Sequence, residues 1–340
     1  MVTFFTSAVA FLISFCSMPF LRRFAWRINL LDFPGGRKNH KDPTPLIGGV
    51  AIYLGLCVAI FFNFPGFSKI FPILLGATLI FVLGLINDLK EIKAQARFIC
   101  QVFISLLVIS MGLRVSFFPP GIVGDGLEVL ISIVWLVGLA NAFNYLDGLD
   151  GLAAGSGIIN LFFLAVILNN TAQYPLKLFA LVFAFAILGF LPYNLGNKKI
   201  FLGESGSTLI GFTLACVSLA GYWGSDSIVK ISIPVLILGV PIFDMVFTTI
   251  VRLSEGKVKG IIEWMQYGGR DHFHHRLVDL GFKPYGAVLF IYFITCALGI
   301  SAIIINDNPP FIAIMSLIQA VMIFAIIAAL IIVGKGRASV

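Results

Sequence analysis

The chain has 340 residues, 59% of them hydrophobic and 11% charged, with a net charge of +7 and a mean hydropathy of +1.02. Soluble domains carry about 25% charged residues, so this composition excludes an ordinary water-soluble protein. The apolar runs are long enough for helices that cross a hydrocarbon core of ~30 Å, and they lack the polar/apolar alternation of spanning strands. The expected fold is therefore all-α, a polytopic integral membrane helical bundle.

Taken in order between polar or Gly/Pro breaks, eleven candidate spans fall at about 2–21, 46–64, 70–87, 98–116, 127–146, 157–169, 176–192, 207–223, 231–251, 286–305 and 310–333, the sixth being short. The first has no basic residue before it and a basic cluster after it, the reverse of a cleavable signal peptide, so it is expected to be a helix of the mature chain. No repeat or separate soluble domain interrupts the series, which predicts a single transmembrane domain over 1–340. Cys16, Cys57, Cys100, Cys216 and Cys296 lie inside apolar runs without paired spacing and read as small core residues.

The connections alternate in basic charge. Nineteen of the 23 Lys and Arg fall on one side, leaving Lys69, Arg114, Lys177 and Lys230 on the other. The positive-inside rule then places the amino terminus outside and the carboxyl terminus in the cytoplasm. This asymmetry accounts for the net charge of +7 without a nucleic-acid partner. Twelve of the 16 acidic residues lie on or near the same basic side. Acidic residues contribute little to the rule, so their gathering there asks for a cation or a polyphosphate substrate.

Five polar stretches carry that chemistry. The first connection, from Asp32 through Lys41 to Gly49, offers bases and glycines that suit either a phosphate or anionic headgroups. At the end of the third span, Asn87, Asp88 and Lys90 sit where a helix reaches water. In 141–155, Asn141, Asn144, Asp147 and Asp150 recur every third residue, on one drifting face as far as the helix continues, with exposed backbone at Gly148, Gly151 and Gly155. Glu204 and Ser205 precede the eighth span, where a helix amino terminus favours either a side-chain cap or a bound phosphate. His272, His274 and His275 lie beside Arg270 and Arg276, a grouping better suited to a diphosphate than to zinc, since no cysteine is near. Asp244 stands apart, inside the ninth span, where a structural hydrogen bond satisfying groups freed by Pro241 is favoured over a functional role.

In this order, Asp32…Pro34…Arg37-Lys38…His40-Lys41…Pro45…Gly48-Gly49, Asn87-Asp88, 141–155, 201–207, Pro241…Asp244 and 272–277 resemble the polyprenyl-phosphate N-acetylhexosamine-1-phosphate transferases. The His-x-His-His-Arg loop is more similar to undecaprenyl-phosphate GlcNAc-1-phosphate transferases of O-antigen and teichoic acid synthesis than to phospho-MurNAc-pentapeptide translocases. The resemblance implies a Mg²⁺-dependent reaction, with Mn²⁺ as the alternative ion, at the cytoplasmic face of a bacterial inner membrane. A polyprenyl phosphate attacks a UDP-amino sugar, most simply UDP-GlcNAc, and UMP leaves. It implies Glu204 as a metal ligand with Asp147 and Asp150 nearby, and Asp88 and Lys90 as phosphate-positioning groups. Asn144 would contact the nucleotide, and His272, His274, His275 and Arg276 would hold the sugar diphosphate, with Lys41 a further substrate-binding residue. Two departures fall beside the expected metal: Asn87 where the family has the first of paired aspartates, and Glu204 where it has aspartate. A catalytically impaired relative that binds prenyl phosphate is thus one rival, and a secondary transporter the other. Transporters place ionisable groups near the bilayer midplane, whereas here nearly all lie at helix ends. The sequence leaves the choice between monomer and homodimer open.

Overall fold

A computed structural model describes residues 2–34, 42–61, 64, 66–195, 200–260, 263–264, 267, 269–306 and 308–338, the side chains of 335–338 excepted. Among these, thirteen helices follow one another: α1 (Val2–Arg27), α2 (Gly48–Phe61), α3 (Phe67–Leu89), α4 (Ala94–Ser110), α5 (Ile122–Leu146), α6 (Leu152–Asn170), α7 (Tyr174–Leu195), α8 (Gly203–Ala220), α9 (Ser227–Ile237), α10 (Gly239–Ser254), α11 (Phe273–Asp279), α12 (Pro284–Asn306) and α13 (Pro310–Ala338). Between α1 and α2, Leu31–Asp32 (β1) pairs antiparallel with Thr44–Pro45 (β2). Lys41 lies outside the described residues.

All eleven candidate spans coincide with helix, but not all are full crossings. Seven helices are long and apolar enough to cross a membrane, or eight if α9 and α10 count as one bent span, and α2 and α4 are shorter apolar helices. The sixth span proves longer than the apolar run suggested, because Leu152 to Ser156 join α6. The ninth is broken, bending by 79° between Ile237 and Gly239. Pro241 supplies the reason, since it has no N–H to return to the Ile237 carbonyl. The bend carries Asp244 and Arg252 to the face where the polar residues gather.

At the centre stands α8, buried without a break from Ser205 to Ser218. Small residues let its neighbours approach at backbone distance, the usual solution where lipid offers no hydrophobic drive between helices. A Cβ at Gly206 would strike Leu202 and the Gly49 backbone, one at Gly211 the Leu139 carbonyl, and one at Gly84 the backbone of Glu204 and Ser205. The amides of Gly48 and Gly49 donate to the carbonyls of Phe201 and Leu202 (3.0 and 2.9 Å), while Phe201 N–H donates to the Pro45 carbonyl at 2.9 Å. The amino-terminal ends of α2 and α8 are thereby locked together.

The same packing sets one end of the bundle as the polar end. There α3 and α5 finish and α8 begins, at Asp88, Asp147 and Glu204. The carboxyl-terminal part of α13 reaches this end too, as Gly334 packs on Leu280 just after α11.

The contact at Gly206 gives a direct test. Gly206→Val should lower stability by about 1–3 kcal/mol through overpacking between α2 and α8, read as a drop in Tm of the detergent-purified protein. An unchanged Tm would mean that the helices are not in backbone contact there.

Candidate active site

Asp88, on the last turn of α3, spends both carboxylate oxygens on α8. Oδ1 accepts from the Glu204 amide at 2.8 Å and Oδ2 from the Ser205 amide at 3.0 Å. These amides have no partner within their own helix, and a carboxylate at a helix amino terminus satisfies them with favourable dipole interaction. Gly203 makes the approach feasible, with φ of 74° and no Cβ to meet Asp88 Oδ2. So the position favourable for phosphate at the α8 terminus is filled by the chain's own aspartate.

Glu204 points back across this junction. Its Oε2 accepts from Asn87 Nδ2 at 2.9 Å and from Arg97 Nη1 at 2.6 Å, and Asn144 is within hydrogen-bonding reach. Asn87 Oδ1 meanwhile accepts the Ile92 amide at 2.9 Å, fixing its amide orientation. Asn144 Oδ1 accepts from Ser207 Oγ at 2.8 Å. Arg97, on the first turn of α4, carries no motif, and in the sequence it counted only toward the charge asymmetry. A basic residue within the first turn of an apolar helix was the available signal.

The third-residue pattern of 141–150 does not continue as one face. Helix α5 ends at Leu146, so Asn141 and Asn144 lie on the helix while Asp147 and Asp150 lie in the turn before α6. Gly151 closes that turn at φ 78°, a left-handed conformation that favours glycine. Its N–H donates to Asn194 Oδ1 and its carbonyl accepts from Tyr292 Oη, both at 2.6 Å. The turn is thus pinned from α7 and α12. Asp150 is exposed, as is Lys90 at the end of α3. Asp147 is half-buried. Burial, then the charges of Asp88 and Asp150, push its carboxyl well above the usual range. Negative charge here exceeds what nearby bases neutralise.

The histidine loop has two different parts. His272 is consumed by structure: its Nδ1 lies 3.1 Å from Asp244 Oδ2 and its Nε2 3.1 Å from Arg252 Nη2. A guanidinium can only donate, so this network assigns Nε2 as acceptor and places the ring proton on Nδ1, toward Asp244. Tyr145 stacks on the ring at 4.7 Å. Asp244 Oδ1 also accepts the Phe273 amide at 2.7 Å. Asp244 therefore has a structural bond, but its partner is the histidine loop. Buried Arg252 grips Asp271 in a fork, Nε to Oδ2 at 3.0 Å and Nη2 to Oδ1 at 2.7 Å. Burial works against the Asp271 charge, yet this guanidinium outweighs it and holds the carboxyl below its usual range.

His274 is the other part. It is fully buried, neither ring nitrogen has a hydrogen-bond partner among the described residues, and Nε2 presses on Gly148, where any Cβ would collide with it. Burial, with a smaller contribution from His275, lowers its pKa to about 3, so the ring is neutral at pH 7. His275 is also lowered, by burial and then by Arg270. Arg276 is buried over the Phe247 ring at 5.3 Å, and its Nε donates to the Asp271 carbonyl. The residues brought together are thus Asn87, Asp88, Asn144, Asp147 and Glu204 with Arg97, and His274 joins them across Gly148.

An apolar cavity of about 260 Å³ between α4, α5 and α10 runs along Phe98, Val137, Met245 and Trp264 to Arg97 and Tyr145. Its inner end thus reaches the base that pairs with Glu204.

Among the described residues no three metal-ligating side chains converge into a preformed centre. That donor set still fits Mg²⁺, which keeps several waters and takes one or two carboxylates together with substrate phosphate oxygens. Asp147 is the carboxylate that such an ion would relieve of excess negative charge.

The family model of glycosyl transferase family 4 matches residues 70–222. A probable undecaprenyl-phosphate N-acetylglucosaminyl 1-phosphate transferase of Bacillus subtilis is 32% identical over 94% of this chain and 90% of its own length. A decaprenyl-phosphate N-acetylglucosaminephosphotransferase of Mycobacterium tuberculosis is 31% identical over 80% of this chain and 74% of its own. An undecaprenyl-phosphate alpha-N-acetylglucosaminyl 1-phosphate transferase of Thermotoga maritima is 32% identical over 71% and 72%.

The neutrality of His274 has a measurable sign. Its folded pKa of about 3 lies below the ordinary value of 6.5, so the unfolded chain binds the extra proton. Stability should therefore fall as pH drops from 6.5 toward 3, by at most about 1.4 kcal/mol per pH unit from this group. His274→Asn should flatten that slope in pH-dependent thermal unfolding. An equal slope in both proteins would contradict the burial of a neutral ring.

Proposed function

The chain belongs to glycosyl transferase family 4, with the polyprenyl-phosphate N-acetylglucosaminyl 1-phosphate transferases, and from that premise we propose its reaction in full. An oxygen of polyprenyl phosphate attacks the sugar-bearing phosphorus of UDP-GlcNAc. The bond between that phosphorus and the bridging oxygen breaks, the oxygen leaves on the α-phosphorus as UMP, and the product is polyprenyl diphosphate carrying GlcNAc. The observation that carries this reading is the half-buried Asp147, short of positive charge and next to Gly148, against which His274 presses with no hydrogen-bond partner among the described residues.

Phosphoryl transfer demands positioning and charge neutralisation more than covalent help. A phosphate monoester has a second pKa near 6 and is largely the dianion at pH 7, so the chain need not supply a base. The cavity ending at Arg97 suits the prenyl chain, with the guanidinium receiving its phosphate. Asp147 and the Glu204 carboxylate would hold Mg²⁺, which when bound neutralises charge developing on the diphosphate oxygens. His274, neutral, offers one N–H donor without adding charge. His272, Asp244, Arg252 and Asp271 set where His274 stands. By the positive-inside rule the basic residues around this end support a site facing the cytoplasm, where UDP-sugars are available.

Asn87 also favours an active enzyme over an impaired relative. It donates to Glu204 Oε2, so the longer acid and the amide form a matched pair. An aspartate at 87 would set two carboxylates 2.9 Å apart. Activity is expected in the chain as written, and Asn87→Asp should change rate and Mg²⁺ dependence without being needed to create turnover.

UMP release from UDP-GlcNAc with undecaprenyl phosphate, in membranes or detergent, tests the proposal. Asp147→Asn and Glu204→Gln should each cut turnover by about 100-fold or more, the scale of removing one electrostatic stabiliser. EDTA should abolish release and Mg²⁺ restore it. Full activity in both variants, or in EDTA, would remove the metal role. Release from none of several UDP-amino sugars would favour the impaired relative or a transporter.

A further inference from the structure

A second cavity, of about 500 Å³, lies at the opposite end of the bundle. It sits where α4 and α8 finish and α5 and α9 begin. Because α5 has 25 residues, the two ends lie about 37 Å apart at 1.5 Å per residue. This cavity therefore has no part in the chemistry described above, and its volume is within the ~300–1,000 Å³ of small-molecule sites.

Its walls are built to be apolar. Trp135 Nε1 donates to Ser218 Oγ at 2.8 Å, and Trp223 Nε1 donates to the Ser218 carbonyl at 2.7 Å. Both indoles thus spend their polar edge on α8, leaving ring surface for the cavity. The rim is equally constructed. Glu128, buried in α5, accepts the amides of Phe117 and Phe118 at 2.8 and 3.1 Å, and Ser132 Oγ accepts that of Val115 at 2.9 Å. On the α5 and α9 sides, Ile131 and Ile231 are exposed, so the cavity opens sideways toward lipid.

Charge identifies the occupant. The lining includes Arg114 and Lys230 and no carboxylate. These are two of only four basic residues on this face, the face from which the sequence otherwise withholds positive charge. Arg114 is shared with Asp125 at 3.1 Å and Glu128 at 3.7 Å. Asp226, the remaining acid close in sequence, accepts the amides of Ile228 and Val229. Lys230 has no acidic partner among the described residues, so its ammonium is the free cation of the rim.

We propose that this cavity binds an anionic phospholipid of the leaflet opposite the catalytic face, one acyl chain between Trp135 and Trp223 and its phosphate on Lys230. The lipid would brace the outer ends of α5, α8 and α9. The inference rests on the membrane-spanning fold and not on the proposed reaction.

Native mass spectrometry of the full chain in mild detergent, titrated with phosphatidylglycerol or phosphatidylcholine, tests it. Phosphatidylglycerol should bind roughly tenfold tighter, because the choline cation of phosphatidylcholine offsets the phosphate charge that Lys230 would receive. Lys230→Gln should erase that preference, Lys230→Arg should keep it, and Ile231→Trp, which fills the mouth, should lose both lipids. UMP release should be unchanged in all three. Equal binding of the two lipids by the natural chain, or undiminished phosphatidylglycerol binding in Lys230→Gln and Ile231→Trp, would overturn the proposal.

Discussion

The two hydrogen bonds that Asp88 accepts from the first amides of α8 are the constraint on which the polar end depends. They join the end of one buried helix to the start of another, and Glu204 follows as the first side chain beyond the joint. Its carboxylate is then brought to Asn87 and Arg97. Without that joint the α8 amides would be unsatisfied at a helix end packed against α2, a cost of several unmet donors. The bases and acids of three helices consequently share one small volume.

A second joint holds the histidine loop. Asp244, brought inward by the bend before α10, takes both the His272 ring proton and the Phe273 amide. Arg252 occupies the other side of the same ring and also anchors Asp271. With His272 fixed on both nitrogens, α11 starts in one orientation, and His274 follows against Gly148. His272 and His274, which look equivalent in sequence, thereby become a strut and a ring with no partner among the described residues.

Much of this was legible in the residues. The helical membrane fold follows from long apolar runs, and the polar clusters that come together were each visible as a local pattern. What the sequence withheld were relationships between distant segments. Nothing local indicates that Asp88 caps a helix 116 residues later, that Arg97 pairs with Glu204, or that Asp244 serves His272. The third-residue spacing of 141–150 suggested one helical face, yet Gly148 and Gly151 let the chain turn, and long-range bonds from Asn194 and Tyr292 decide the matter. The 79° break likewise needed the register of Pro241 within a packed bundle.

On the proposed reading a divalent metal would be held jointly by Asp147, Glu204 and the sugar nucleotide, as no three ligand side chains converge among the described residues. Mn²⁺ binding followed by electron paramagnetic resonance, with and without UDP-GlcNAc, tests this most directly. The account predicts weak binding to the protein alone, at least roughly tenfold tighter binding when the nucleotide sugar supplies phosphate oxygens, and loss of that gain in Asp147→Asn. Tight Mn²⁺ binding that is indifferent to UDP-GlcNAc and to Asp147 would contradict it.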